Sequence, residues 1–161
     1  MLNYFAYGSN MLPQQMAERC PGSRARGKAV LRGWRFHITT RGSASIVPIP
    51  DGQVHGALWR CSARHFHTLD RYEGVALGNY RRHRIEVIDE FGHILPAITY
   101  VGARRHPGRA RVNYMVTAVL AGADAFGLPE PYVLELMGWL PRVPVGEKRV
   151  RYRGSRKWRR R

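Results

Sequence analysis

Leu2-Asn3-Tyr4-Phe5-Ala6-Tyr7-Gly8-Ser9-Asn10-Met11 reads as a short apolar strand that stops at a Gly-Ser-Asn turn. A helical pattern follows at once. Leu12, Met16 and Cys20 recur at four-residue spacing, and Pro13 falls where a first helical turn tolerates a residue without an N–H. Asn10 or Ser9 is placed to cap that helix. A strand that turns on glycine into a helix N-terminus aims unpaired backbone N–H groups at one spot, which suits a carboxylate, a phosphate or a developing oxyanion. Locally, an ordinary N-terminal strand and turn would look the same, because one glycine turn is common.

Outward from this stretch, Cys20-Pro21-Gly22-Ser23 breaks the helix, and residues 23–28 read as a polar, basic connection. Residues 29–40 read as a strand with Val30, Trp34, Phe36 and Ile38 at even positions, and Gly33 inside it signals a bulge. Residues 44–49 and 53–60 read as two more strands, joined by Pro50-Asp51-Gly52 into a hairpin. Ser62 caps a helix over 63–73, in which Ala63, Phe66 and Leu69 share a face. Four residues past Leu69, Glu73 falls on that core-facing side at the helix end, and Gly74 stops the helix. Helix-terminal glutamates are more commonly solvated, so spacing alone leaves both readings open.

Residues 75–79 form a glycine-containing loop. Tyr80–Asp89 alternates as a strand, and 94–101 returns from the turn Glu90-Phe91-Gly92-His93. Residues 102–111 make a basic loop, 112–123 a helix, and Pro131 opens a last helix with Val133, Leu136, Met137 and Leu140 as its apolar stripe. Strand–helix, then antiparallel strands around one helix, then helices, is an α+β order rather than a βαβ repeat.

The 161 residues fit one domain, 1–147, with a basic flexible tail, 148–161. There is no run of about 18 apolar residues to span a membrane and no secretion signal at the N-terminus. Cys20 and Cys61 read as small thiols of a reducing cytoplasm rather than as a metal or disulfide framework. The seven histidines form no metal set. The net charge is +16, from 27 basic against 11 acidic residues. Nine of the basic residues lie in 148–161, which leaves +7 for the rest, so the whole chain should attract anions.

Phe5-Ala6-Tyr7-Gly8-Ser9-Asn10 resembles the substrate loop of the gamma-glutamylcyclotransferase family, in the AIG2-like and gamma-glutamylamine cyclotransferase-like superfamily. Leu69-Asp70-Arg71-Tyr72-Glu73-Gly74-Val75 resembles the segment that carries its catalytic glutamate. Ala44-Ser45-Ile46-Val47-Pro48, Val54-His55-Gly56-Ala57-Leu58-Trp59 and Gly127-Leu128-Pro129-Glu130-Pro131-Tyr132 also fit, so the similarity runs over about residues 2 to 140 in the family's order. Each motif is short; their joint order and spacing carry the match.

The resemblance implies a small, mainly antiparallel β-barrel flanked by helices. It implies release of 5-oxoproline from a gamma-glutamyl amino acid or amine, with no cofactor, the substrate α-amine attacking its own γ-carbonyl. Glu73 would be the general acid/base, and Tyr7, Gly8, Ser9 and Asn10 would hold the glutamyl carboxylate and γ-carbonyl. Tyr4, Phe5 and Ala6 precede that loop and would line the site, unless they are core. Tyr80, Tyr100 and Tyr114 match tyrosines near the family's pocket, Tyr114 with a hydroxyl for substrate. The match at Tyr114 needs a one-residue gap in the helix that follows.

Two alternatives stand beside this. Ser9 as a nucleophile lacks the flanking glycines of a nucleophile elbow and a legible Ser–His–Asp set. An accessory protein on the same fold would use the tail, in which Tyr152 and Trp158 sit among arginines, for weak nucleic-acid contact. Such a tail is a departure from the family's pattern. The sequence carries no signature of oligomeric state.

Overall fold

The apolar N-terminal run becomes β1, Leu2–Ala6, with Tyr4, Phe5 and Ala6 all buried. In the computed structural model, which describes residues 1–141, β1 closes a five-stranded barrel in the order β1-β3-β2-β4-β5. The other strands are β2, Arg24–Ile38; β3, Ala44–Cys61; β4, Tyr80–Asp89; and β5, Ile94–Gly102. All neighbours run antiparallel except β1 and β5, which meet in parallel at Tyr4 and Ile98. The expected α+β barrel, mainly antiparallel and flanked by helices, is the fold observed. The basic segment 148–161, with Tyr152 and Trp158, lies outside the described residues.

Two expectations about the long strands are corrected. β2 begins at Arg24, so the basic residues read as a connection are its first rungs, with Arg24 paired to Arg60. Its apolar phase also changes. Ala29 and Leu31 are buried before Gly33, and Phe36 and Ile38 after it, whereas Val30 is only half-buried. The register shifts between Arg32 and Trp34, and a bulge there moves the inward set from odd to even positions.

Pro50-Asp51-Gly52 does not make a hairpin. Gln53 pairs with Arg32 and Pro48 with Trp34, so both halves of β3 lie along the same β2, and the turn residues bulge out opposite Gly33. Asp51 takes the left-handed conformation there (φ 61°), and a Cβ on Gly52 would meet the Trp34 carbonyl oxygen at 2.5 Å.

The first helix, α1, is Pro13–Arg19 and buries Met16 and then Cys20, as the spacing predicts. Neither Ser9 nor Asn10 caps it. They form a short 3-10 turn, Ser9–Met11, and the N-cap is Leu12, with Pro13 at the first helical position. Helix α2, Ala63–Tyr72, starts in a capping box. The Ser62 hydroxyl accepts from the His65 N–H, and the His65 ring accepts from the Ser62 N–H. Glu73 is its C-cap, and left-handed Gly74 ends it.

The helix expected over 112–123 is one rod of three parts: α3, Val112–Tyr114; a π-helical stretch, Met115–Leu120; and α4, Ala121–Ala125. A π turn takes one more residue per hydrogen-bonded ring than an α turn. In α5, Glu130–Met137, the buried residues are Tyr132 and Leu136, whereas Met137 is exposed, so the apolar stripe is rotated from the expected one. Cys20 and Cys61 are buried and free. No helix among the described residues is long and apolar enough to cross a membrane.

The rod meets the N-terminal turn at Gly122. A Cβ there would lie 2.6 Å from the Met11 Cβ and 2.9 Å from the Leu12 nitrogen. Gly122→Ala gains helix propensity of about 1 kcal/mol, but backbone atoms must yield, and overpacking costs about 1–3 kcal/mol. The melting temperature of Gly122→Ala should therefore fall below that of the wild type. A rise would show that the rod and the Ser9–Met11 turn are not tightly packed.

Candidate active site

β1 ends at Ala6, and the chain then crosses the barrel mouth as Tyr7-Gly8-Ser9-Asn10 before α1 starts. At this mouth lies a cavity of about 480 Å³. Tyr4, Tyr7, Gly8, Ser9, Asn10, Glu73, Tyr80, Tyr100 and Tyr114 all line it, so most of the residues singled out in the sequence converge. Phe5 and Ala6 do not line it. Successive strand side chains face opposite ways, and with Tyr4 at the cavity Phe5 turns to the far side, where its ring packs against Gly56. Ala6 is fully covered within the core.

Asn10 is the centre of the hydrogen bonding. Its buried amide nitrogen donates to the Tyr4 hydroxyl (2.8 Å) and to Glu73 Oε1 (3.0 Å). Its oxygen accepts from Arg19 Nη1 (2.7 Å) and Gln15 Nε2 (3.1 Å). Gly8 admits the opposite wall: a Cβ on it would stand 3.0 Å from the Ala44 Cβ and 3.2 Å from the Tyr114 hydroxyl. That hydroxyl accepts from the Ala44 N–H (3.2 Å) and lies beside the Ser9 N–H and hydroxyl. The Tyr80 hydroxyl donates to the Ala44 carbonyl (2.7 Å). The Tyr7 hydroxyl donates to the Tyr100 carbonyl, and the Tyr100 hydroxyl to Asp70 Oδ1 (2.7 Å), so these two are spent on the scaffold. Asp70 also takes a bidentate pair from Arg82, which ties α2 to β4.

Burial pushes the Glu73 carboxyl up to about 7; the nearby Arg19 charge and the Asn10 hydrogen bond oppose that shift without cancelling it. Burial likewise raises Tyr4, Tyr80 and Tyr114, with the Glu73 charge adding to each, so these phenols stay protonated at neutral pH. A half-buried carboxyl that titrates near neutrality, among neutral hydroxyls, can take a proton from one nitrogen and give it to another. Among the described residues, no group of three or more His, Cys, Asp or Glu side chains is arranged to hold a metal ion.

Sequence reasoning missed Gln15, Arg19, Arg41 and Asn79, which also line the cavity. Gln15 and Arg19 were findable: they lie four apart on α1, on the face that Met16 and Cys20 do not use. Arg41 and Asn79 had no local signal, because they meet only through a hydrogen bond across 38 positions (2.8 Å).

The model of the AIG2-like family matches residues 53–136. Two curated relatives are named gamma-glutamylcyclotransferase. The one from Homo sapiens is 25% identical over 154 residues and the one from Mus musculus 27% identical over the same length; each match covers 89% of this chain and 81% of the relative. A solved structure named gamma-glutamyl cyclotransferase superposes with a TM-score of 0.81 at 24% identity, covering 91% of this chain and 92% of that one.

The raised carboxyl has a consequence for stability. The native state holds the Glu73 proton between the ordinary value of 4.5 and about 7, where the unfolded chain has released it. Its contribution is therefore intact at low pH and is lost as pH rises through about 7. Glu73→Gln should gain in melting temperature relative to wild type on going from pH 5 to pH 8. A constant difference across that range would mean that Glu73 titrates as a solvated glutamate.

Proposed function

The chain belongs to the AIG2-like family, and from that premise we propose that it is a gamma-glutamylcyclotransferase-type enzyme that releases 5-oxoproline from gamma-glutamyl compounds. The observation that carries the proposal is Glu73, held at the end of α2 by Asn10 inside the cavity, with its carboxyl near 7. The nucleophile and the electrophile belong to one substrate molecule, so the protein has three tasks. It folds the glutamyl chain until the ends meet, moves two protons from the attacking to the leaving nitrogen, and stabilises one oxyanion.

The first task is orientation, worth up to about 7–11 kcal/mol when the reacting atoms are well aligned. The turn through Gly8, Ser9 and Asn10 and the hydroxyl of Tyr114 would grip the glutamyl carboxylate and γ-carbonyl, while Tyr80, whose proton goes to the Ala44 carbonyl, holds the wall beside them. Tyr4 supports Asn10 from below. In the second task ionised Glu73 takes a proton from the substrate ammonium, and the freed amine attacks the γ-carbonyl. Glu73 returns that proton to the leaving nitrogen, and the tetrahedral intermediate collapses and expels the amine. The second proton that the ring nitrogen must lose to become the lactam N–H passes by way of Glu73 to the departed amine, which leaves as an ammonium. In the third task the protonated Tyr114 hydroxyl and the Ser9 N–H, side by side, suit the oxyanion. The reaction asks for no redox or group-carrying chemistry.

The test is detection of 5-oxoproline by mass after incubation with gamma-glutamyl amino acids and amines. Wild type should release it, and Glu73→Gln should lose about 10²–10⁴-fold in kcat with its fold intact. Because Glu73 must be ionised to act as base, kcat/KM should rise with pH up to about 7 and then level off. Full activity in Glu73→Gln, or an acid limb at the ordinary glutamate value, would remove Glu73 from the mechanism.

A further inference from the structure

Three arginines, Arg19, Arg41 and Arg111, line the cavity, and the reaction as described engages only the first through Asn10. At the α1 end, Arg19 is engaged: it donates to Asn10 and its guanidinium lies 4.4 Å from the centre of the Tyr72 ring. Arg41 and Arg111 line the same cavity from other segments of the chain. The stem of Arg111 rests on left-handed Gly42, where a Cβ would meet its Cγ at 2.8 Å, and its guanidinium lies 5.3 Å from the Tyr114 ring centre. Arg41, the residue before that glycine, donates to Asn79 Oδ1. A second hollow of about 180 Å³ shares Arg41, Ser43, Asn79 and Tyr80 with the first and also carries Arg104.

The anchors of this second cluster are neutral. An amide oxygen and an aromatic ring hold Arg41 and Arg111 in place without cancelling their charge. Among the described residues, Arg41, Arg104 and Arg111 have no carboxylate within ion-pair distance, and Glu73 is the one acid lining either hollow. Guanidinium groups ordered in this way keep N–H forks free for planar anions.

We propose that Arg41, Arg104 and Arg111 form a leaving-group subsite for a dianionic amine, so that the preferred substrate is a gamma-glutamyl-linked acidic amino acid. The assignment rests on the cyclisation reading above, which puts the glutamyl half at Ser9 and Asn10 and leaves the departing half to the remaining lining, where Arg41 and Arg111 stand. Two carboxylates on the departing amine then meet three guanidinium groups. A carboxamide in place of one carboxylate forfeits a charge contact, and an alkylamine forfeits both.

The test compares gamma-glutamylglutamate, gamma-glutamylglutamine and gamma-glutamylbutylamine in wild type, Arg41→Gln and Arg104→Gln. In wild type, kcat/KM for the glutamate compound should exceed that for the glutamine compound by about fivefold to tenfold, and the preference should shrink as salt is raised. Each variant should lower that ratio. A ratio near one in wild type, or one unchanged in both variants, overturns the subsite even if 5-oxoproline is formed. Calorimetric binding of the same three compounds to Glu73→Gln separates the two claims. Absence of 5-oxoproline in wild type, with charge-selective binding that Arg41→Gln abolishes on the Glu73→Gln background, overturns the reaction and keeps the subsite. Neither turnover nor selective binding overturns both.

Discussion

One buried amide organises this site. Asn10 spends both N–H groups and its oxygen on partners from three elements: Tyr4 on β1, Gln15 and Arg19 on α1, and Glu73 at the end of α2. A hydrogen bond inside a protein contributes only about 0.5–1.5 kcal/mol net, but an orphaned buried polar group costs about 1–3 kcal/mol. The asymmetry makes Asn10 a constraint more than a source of stability. Any movement of the turn, of α1 or of the α2 terminus leaves a buried group unsatisfied, so the three move together or not at all.

The constraint explains why a glutamate is held where a helix end would ordinarily offer it to water. The α2 segment is fixed at both ends, by the Ser62–His65 capping box and by the bidentate Asp70–Arg82 pair. Tyr100 locks onto the same Asp70. Glu73 is left facing tyrosines rather than solvent, with Asn10 as its hydrogen-bond donor. Desolvation outweighs the field of Arg19, and the carboxyl settles near neutrality. Packing of the rod at Gly122 against Met11 and Leu12 holds the other wall, so Tyr114 and the Ser9 turn stay in contact.

What the sequence disclosed follows the range of the interactions involved. α2 was legible because capping, three- and four-residue spacing and a left-handed glycine act within one helix. β4 was read to its observed ends because its alternation is uninterrupted. The course of β3 was not legible, since whether Pro50-Asp51-Gly52 joins two strands or bulges from one depends on β2 being long enough to pair with both halves. The phase change at Gly33 depends on that same pairing. At the candidate site, the Tyr7–Asn10 turn, Glu73 and Tyr114 were singled out through motif order and match, and all of them line the cavity. Arg41 and Asn79 were out of reach, because each acquires meaning only from the other.

The account turns on a carboxyl lifted to neutrality by burial and steadied by Asn10. Carbon-detected NMR titration of the Glu73 carboxyl measures this directly. The account predicts a midpoint near 7, above the ordinary glutamate value of 4.5. A midpoint at the ordinary value would contradict it, because a glutamate already ionised and solvated at neutral pH cannot return the proton that the departing amine requires.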